Sequence, residues 1–215
     1  MQQVYRRDYT GEFIISHTDK VNGKIIQHRE WIPNNFNLSS TGLAVVIGNG
    51  VSRLECPLNL IRMHTGGIDF EKRLTIYGCN ALYRDFAPDI LVVNGRTLAA
   101  EVSSSGYAND HIVFSNARAI TSIKNQQFHL IPFDKNFNAG ASATYLAAFD
   151  GHNKIYMVGF DNHDRASTGY NNNVYAGTPG YSSTTSEVSS ERWEEHMMEI
   201  FETYQHIEFV RVMSH

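Results

Sequence analysis

An apolar run that breaks abruptly into glycine constrains the fold most. Residues 43–47 read Leu-Ala-Val-Val-Ile and lead directly into a Gly-Asn-Gly tripeptide. A short apolar run rich in β-branched residues is typical of a parallel strand covered on both faces. Ligands of open α/β sheets bind beyond the carboxyl ends of such strands. The sequence therefore predicts a ligand site here, with five candidate residues: Gly48, Asn49, Gly50, Ser52 and Arg53.

This loop does not match the two common nucleotide-binding motifs. Arg53 stands where the third glycine of a dinucleotide-binding fingerprint would be, and no Gly-Lys-Ser/Thr follows as in a P-loop. Glycines allow a ligand to approach the main chain, and Arg53 offers a cation for a phosphate. An ordinary turn between a strand and a helix, with a solvated arginine, is the alternative.

Asparagine recurs at the ends of the predicted strands. Residues 74–77 and 89–93 are short apolar runs followed by Asn80 and Asn94, as residues 43–47 are followed by Asn49. If the strands are parallel, their carboxyl ends lie at one edge of the sheet. We therefore expect the three asparagines to line one cleft.

The second half of the chain has the strand, helix, strand rhythm of a parallel sheet. A helix of small residues follows Ala139 and Gly140, and the strand-like run 154–161 ends at Asp161 and is followed by His163. Together these patterns predict a single α/β domain over residues 39–215, with a Rossmann-like, mainly parallel sheet flanked by helices.

Residues 1–38 are predicted to be an N-terminal β-hairpin extension. Residues 12–31 alternate around Asn22-Gly23, and Asn-Gly is the strongest short-range signal for a two-residue hairpin turn. Because two strands alone are marginally stable in water, the hairpin must dock on the core or on another subunit. A homo-oligomer formed through this hairpin is therefore expected.

Charge and composition argue against several classes of protein. The chain has 18 basic and 22 acidic residues without a basic run, which disfavours nucleic acid as a partner. No apolar signal core or membrane-spanning run is present, so a cytoplasmic protein is expected. The ten histidines, Cys56 and Cys79 show no paired spacing typical of zinc ligands. We therefore expect free thiols and no metal.

A long polar segment, residues 164–186, follows the last of these strand ends. It is rich in Gly, Asn, Ser and Thr, and it carries Tyr170, Tyr175 and Tyr181. Long irregular loops in compact domains are often functional. We expect a mobile lid whose tyrosines cover a base or a sugar, and the alternative is a permanently ordered surface loop.

The order of these motifs from Val45 to Asp161 resembles a known family. It is similar to that of the bacterial lipooligosaccharide sialyltransferases and to the related MptE-like proteins, some of which are hydroxymethylpterin pyrophosphokinases. The sialyltransferase resemblance implies a CMP-sugar donor and no required cofactor. It implies that Asn49 lies near the phosphate and that Asn80 and Asn94 lie near the nucleotide. The remaining implied binding groups are Gly140 and the backbone of Gly159, Phe160 and Asp161.

The resemblance implies glycosyl transfer by direct displacement, but the catalytic groups depart from the family pattern. Val51 replaces a proline, Ala139 replaces a serine, and no histidine lies between Asp164 and Glu195 where the family has its general base. We therefore expect His163, beside Asp161, to act as the base or as the acid for the leaving group, because histidine titrates near neutral pH.

Two other functions stay open at this point. An MptE-like pyrophosphokinase would use ATP and Mg²⁺, for which Asp161 and Asp164 are candidate ligands, although Asn94 stands where that family has an aspartate. A non-catalytic nucleotide-binding or assembly module, acting through the hairpin, is the other alternative.

Overall fold

The computed structural model describes residues 2–6, 12–21, 24–33, 42–65, 74–123, 128–132, 136–161, 172–183 and 187–212. The strands are β1 (Gln2–Arg6), β2 (Glu12–Val21), β3 (Lys24–Pro33), β4 (Leu43–Ile47), β5 (Thr75–Cys79), β6 (Ile90–Val93), β7 (Ile112–Ser115), β8 (His129–Leu130), β9 (Lys154–Val158) and β10 (Glu208–Val212). The α-helices are α1 (Leu58–Thr65), α2 (Arg96–Ser104), α3 (Ala117–Ile120), α4 (Ala139–Phe149) and α5 (Glu187–Thr203). Short 3₁₀ helices span Val51–Glu55, Asn80–Arg84 and Tyr107–Asn109.

The larger sheet has seven parallel strands in the described part of the chain, in the order β10-β9-β4-β5-β6-β7-β8. This confirms the predicted Rossmann-like α/β fold. From β4 the chain adds strands outward to β8, and it then returns to add β9 and β10 on the other side of β4. The strand order therefore reverses between β4 and β9, and such a switch point is where ligands of open α/β sheets bind.

Helices cover both faces of this sheet. Strand β6 is buried along its whole length, which explains its uninterrupted apolar sequence. Helices α4 and α5 pack on one face, and α2 and α3 pack on the other. Helix α4 has no polar face because it is buried on nearly all sides, and its alanines allow it to approach β4, β5 and β6 closely.

The N-terminal strands form a separate antiparallel sheet in the order β1-β2-β3. Val21 pairs with Lys24, so the predicted two-residue connection at Asn22 and Gly23 is confirmed by the register, although those two residues lie outside the described ones. Strand β1 was not predicted. Self-association through this sheet, and the division of the chain near residue 38, stay predictions.

Two expectations from the sequence concern the thiols and the membrane. Both cysteines are free, with Cys56 half-buried and Cys79 buried, and burial raises the pKa of Cys79 to about 12. None of the helices, as far as they are described, combines the length and apolar character that crossing a membrane requires.

A buried polar cluster lies at the carboxyl end of α4. The Tyr77 hydroxyl donates to Asp150 Oδ2 at 2.6 Å and lies 3.1 Å from His152 Nε2. Burial raises the pKa of Asp150 to about 7, and the hydrogen bond from Tyr77 opposes this shift. Burial lowers the pKa of His152 to about 4. Both groups are therefore uncharged in the folded protein over the mildly acidic range.

These two pKa shifts have opposite effects on stability. The raised pKa of Asp150 makes folding less favourable as pH rises from 3.8 to about 7, whereas the lowered pKa of His152 makes it more favourable from about 4 to 6.5. We predict that over this range the free energy of unfolding of Asp150→Asn rises with pH relative to that of the wild type. The free energy of unfolding of His152→Gln should fall with pH relative to that of the wild type. Each slope is at most about 1.4 kcal/mol per pH unit relative to the wild type.

Urea unfolding at several pH values, compared between each variant and the wild type, measures these slopes. The other titrating groups are common to all three proteins and cancel in the comparison. If both variants changed the pH slope of the free energy of unfolding in the same direction, this would contradict the conclusion that Asp150 and His152 are both uncharged in the folded protein.

Candidate functional site

The loops that follow β4 and β9 are hydrogen-bonded to each other beyond the ends of their strands. The Gly48 N–H donates to the Val158 carbonyl at 2.8 Å, and the Gly50 N–H donates to the Gly159 carbonyl at 2.9 Å. A Cβ atom on Gly48 would lie 2.5 Å from the Gly159 carbonyl oxygen, and Gly159 itself has a φ of +71°. Contact between the two loops thus requires glycine at these positions, whether or not a ligand is bound.

Asp161, in the loop after β9, is hydrogen-bonded to the start of the 3₁₀ helix Val51–Glu55. Its carboxylate accepts hydrogen bonds from the Ser52 N–H at 2.9 Å, from the Ser52 hydroxyl, and from the Asn172 side chain at 2.9 Å. Free N–H groups at a helix start attract anions. Here the chain's own carboxylate takes the place that a phosphate would need.

A cleft of about 190 Å³ opens at this switch point. The ends of β4, β5 and β9, the start of α4, residues 172–183 and α5 contribute to its walls. The lining residues are Gly48, Asn49, Gly50, Cys79, Asn80, Asn138, Ala139, Gly140, Gly159, Phe160, Asp161, Asn172, Asn173, Tyr181 and Trp193. Asp161 is the only charged side chain among the described residues that line it.

Asn49 is the most deeply placed polar side chain of the cleft, with 8% of its surface exposed. Its Nδ2 donates to the Tyr181 hydroxyl at 3.1 Å and to the Cys79 carbonyl at 3.4 Å. Its Oδ1 is buried and has no hydrogen-bond partner among the described residues. A buried acceptor without a partner is unfavourable, and Asn94 Oδ1 and Asp150 Oδ1, which do not line the cleft, are in the same state.

The other two strand-end asparagines have different positions. Asn80 lines the cleft and has a φ of +50°, and its Oδ1 accepts the Asn94 N–H at 2.9 Å. The Asn94 side chain donates to the Phe137 carbonyl at 2.8 Å and to Ser142 Oγ at 2.9 Å. All three lie at the predicted edge of the sheet, but Asn94 holds the start of α4 and does not line the cleft.

Arg53 and Tyr175 lie behind the wall of the cleft. Arg53 is 2% exposed, and its Nη2 donates to Asp85 Oδ2 and to the Tyr175 hydroxyl, both at 2.8 Å. The Tyr175 ring is also buried, and its hydroxyl donates to Asp85. In this structure Arg53 is therefore not placed to bind a phosphate, and Tyr175 is not placed to cover a ligand. Sequence patterns could not show that these side chains turn toward Asp85.

Part of the predicted lid is fixed against the site. The Val174 N–H donates to the Asn49 carbonyl at 2.8 Å, and the Tyr181 hydroxyl accepts the Ala81 N–H at 3.3 Å. Arg84 donates to Thr178 Oγ1 and to the Pro179 carbonyl. His163 and Tyr170 lie outside the described residues, so mobility of residues 164–171 as part of the lid and a catalytic role for His163 stay predictions.

Four residues of the cleft were missed by the sequence reasoning: Asn138, Asn172, Asn173 and Trp193. Asn138 caps α4 by accepting the Ala141 N–H at 2.9 Å, and an asparagine before a run of small helix formers could have indicated this cap. The Asn138 N–H donates to His196 Nδ1 at 3.3 Å. The proton of neutral His196 therefore sits on Nε2, and burial lowers the pKa of this histidine.

The described residues contain no group of three or more His, Cys, Asp or Glu side chains close enough to hold a metal ion. In the cleft itself, the one described carboxylate already accepts several hydrogen bonds from the chain.

Comparisons with known proteins bear on the fold. No known family model matches the sequence, and no curated protein matches it. The structure is similar to that of the monofunctional alpha-2,3-sialyltransferase Cst-I from Campylobacter jejuni, with a TM-score of 0.54 and 12% identity over 82% of this chain and 77% of that chain. The sialyltransferase CstII from Campylobacter jejuni, in complex with cytidine-5'-monophosphate, gives a TM-score of 0.46 and 11% identity over 79% of each chain.

The similarity to Cst-I, at 12% identity, shows a shared fold and nothing finer. It agrees with the sialyltransferase-like fold that the motif order suggested. The MptE-like part of that resemblance is not tested by it.

The contact between the two loops makes a testable prediction. Gly48→Ala should lower the free energy of unfolding by about 1 to 3 kcal/mol, because its Cβ would collide with a backbone oxygen that cannot move freely. Gly140→Ala is the matched control, since its Cβ would lie 3.5 Å from its nearest neighbours and alanine favours the helix by up to about 1 kcal/mol. Equal loss of stability in both variants, measured by denaturant unfolding, would contradict the close approach.

Proposed function

We propose that the cleft binds a nucleoside monophosphate sugar of the CMP-sugar type and that the protein transfers the sugar to an acceptor hydroxyl. The observation that carries the proposal is the cleft at the switch point of the sheet, which is lined by the amide side chains of Asn49 and Asn80 and by the N-terminus of α4. These groups can form hydrogen bonds with a base or a sugar and attract a phosphate. The fold shared with a sialyltransferase agrees with this proposal.

The charge of the cleft favours a monophosphate. Its described lining contains no Lys or Arg side chain, and the N-terminus of α4, at Ala139 and Gly140, supplies only about half a unit of positive charge. One phosphodiester charge is repelled less by this environment than a polyphosphate would be. The greater negative charge of a nucleoside triphosphate would face the carboxylate of Asp161 without a cation among the described residues to oppose it.

The reaction would be a direct displacement at the anomeric carbon. The acceptor oxygen forms a bond to that carbon while the bond to the phosphate oxygen breaks, and the nucleoside monophosphate leaves. The N-terminus of α4 would stabilise the charge that develops on the leaving phosphate. The proton of the acceptor hydroxyl would pass to a base, for which His163 stays our candidate. Asp161, the other candidate from the sequence, already accepts hydrogen bonds from Ser52 and Asn172.

The same features weigh against the two alternatives. Pyrophosphoryl transfer needs several oxygen ligands for Mg²⁺ and cations for the phosphates, whereas the described lining offers one carboxylate that is already hydrogen-bonded to Ser52 and Asn172. A purely structural module has no need for a polar cleft at the switch point of the sheet. Transfer from a monophosphate donor therefore fits best.

A panel of nucleotides tests the proposal by thermal shift. We expect CMP to stabilise the protein without Mg²⁺, and CTP, ATP and GTP to do so less at equal concentration, because their added charge is not neutralised. A ligand at a hundred times its dissociation constant adds about 2.7 kcal/mol to the free energy of unfolding. Stabilisation by a purine triphosphate only when Mg²⁺ is present would support the kinase instead, and no response to any nucleotide would support the module.

A matched pair of asparagine variants tests the role of Asn49 in binding the nucleotide. Asn49→Ala should weaken CMP binding by about tenfold or more, because the ligand loses a hydrogen bond in a buried site. Asn116→Ala removes the cap of α3 and costs about 1 kcal/mol of stability, but it should leave CMP affinity unchanged. Calorimetric titration measures both affinities, and equal CMP affinity in the two variants would contradict the role of Asn49.

A further inference from the structure

A second cavity, of about 380 Å³, lies beside the cleft. It is a groove between α5 and the last two strands of the sheet, β9 and β10. Its lining residues are Met157, Phe160, Trp193, Glu194, Met197, Met198, Phe201, Phe209 and Arg211. Most of these side chains are apolar, and the Met198 side chain at its surface is 55% exposed.

The groove adjoins the cleft, with which it shares two wall residues. Phe160 and Trp193 line both cavities, and their ring centroids are 6.3 Å apart. A ligand that extends past this aromatic pair would leave a polar cleft rich in asparagine and enter an apolar groove. The two cavities together therefore fit a molecule with one polar end and one apolar end.

The size and lining of the groove favour a small ligand over a protein partner. Its volume lies in the range of small-molecule sites. Three of its residues are methionines, whose flexible side chains adapt to apolar ligands of varied shape. Glu194 and Arg211 are the charged members of its lining.

We infer that the groove holds the apolar chain of an amphiphilic acceptor, whose hydroxyl-bearing head reaches across Phe160 and Trp193 into the cleft. This inference rests on the proposed function, because it assigns the second substrate of the same transfer. It specifies the acceptor as a sugar or alcohol that carries a single alkyl or acyl chain.

Fluorescence of Trp193 tests the inference directly. The chain has two tryptophans, so full-length protein with Trp31→Phe reports on Trp193 alone. Octyl β-glucoside, kept below its micelle concentration, is the probe, and methyl β-glucoside is its matched control without the chain. We expect a saturable change in Trp193 fluorescence with the octyl compound, also in the presence of saturating CMP. The methyl compound should bind at least about tenfold more weakly, because it lacks the chain that would be buried in the groove.

Two exposed residues provide matched variants in that background. Met198→Glu places a charge in the groove and should weaken octyl glucoside binding by about tenfold or more. Leu60→Glu changes a similarly exposed residue of α1, outside both cavities, and should leave this binding unchanged. CMP binding, measured by calorimetry, should be the same in both variants.

The outcomes separate this inference from the proposed function. Equal affinity for the two glucosides, equal effects of the two variants, or displacement of the octyl compound by CMP would overturn the acceptor groove while leaving donor binding intact. Octyl glucoside binding without any CMP binding would overturn both the donor assignment and the acceptor role of the groove.

Discussion

The site depends on the backbone contact between the loops that leave β4 and β9. These strands are neighbours in the sheet, but the helices that follow them, α1 and α5, pack on opposite faces of the sheet, which leaves a gap between the two strand ends. Hydrogen bonds from Gly48 and Gly50 to the β9 side hold the two loops together at this gap. Because a side chain on Gly48 would collide with Gly159, the floor of the cleft depends on the absence of a Cβ atom.

Most polar groups around this contact hold the chain and are not free for a ligand. Asp161 binds the start of a 3₁₀ helix, Asn94 holds the start of α4, and Arg53 binds Asp85. The amide of Asn49 and the N-terminus of α4 line the cleft and would contact a donor. The described lining is rich in amides and has no Lys or Arg side chain, which is why a monophosphate donor would fit it better than a polyphosphate.

Helix α4 joins the cleft to the buried polar cluster on the far side of the core. Its first turn lines the cleft through Ala139 and Gly140, and its last turn ends at Asp150, which binds Tyr77. The helix is held by packing on nearly all sides. The buried, uncharged groups of Asp150 and His152 therefore lie at one end of α4, and the other end of this helix would face the donor's phosphate.

The sequence alone determined the strands from β2 onward, the parallel sheet, the hairpin register and the placing of Asn49 and Asn80 at one edge. These follow from local patterns of apolar residues and turns. Only the tertiary structure decided which polar side chains face the cleft. Arg53 turns to Tyr175, which is 122 positions away along the chain, and Ser52 binds Asp161, which is 109 positions away. The apolar groove likewise joins β9, α5 and β10. Local patterns fix where a strand ends, but the partner of a side chain depends on which distant strands and helices pack beside it.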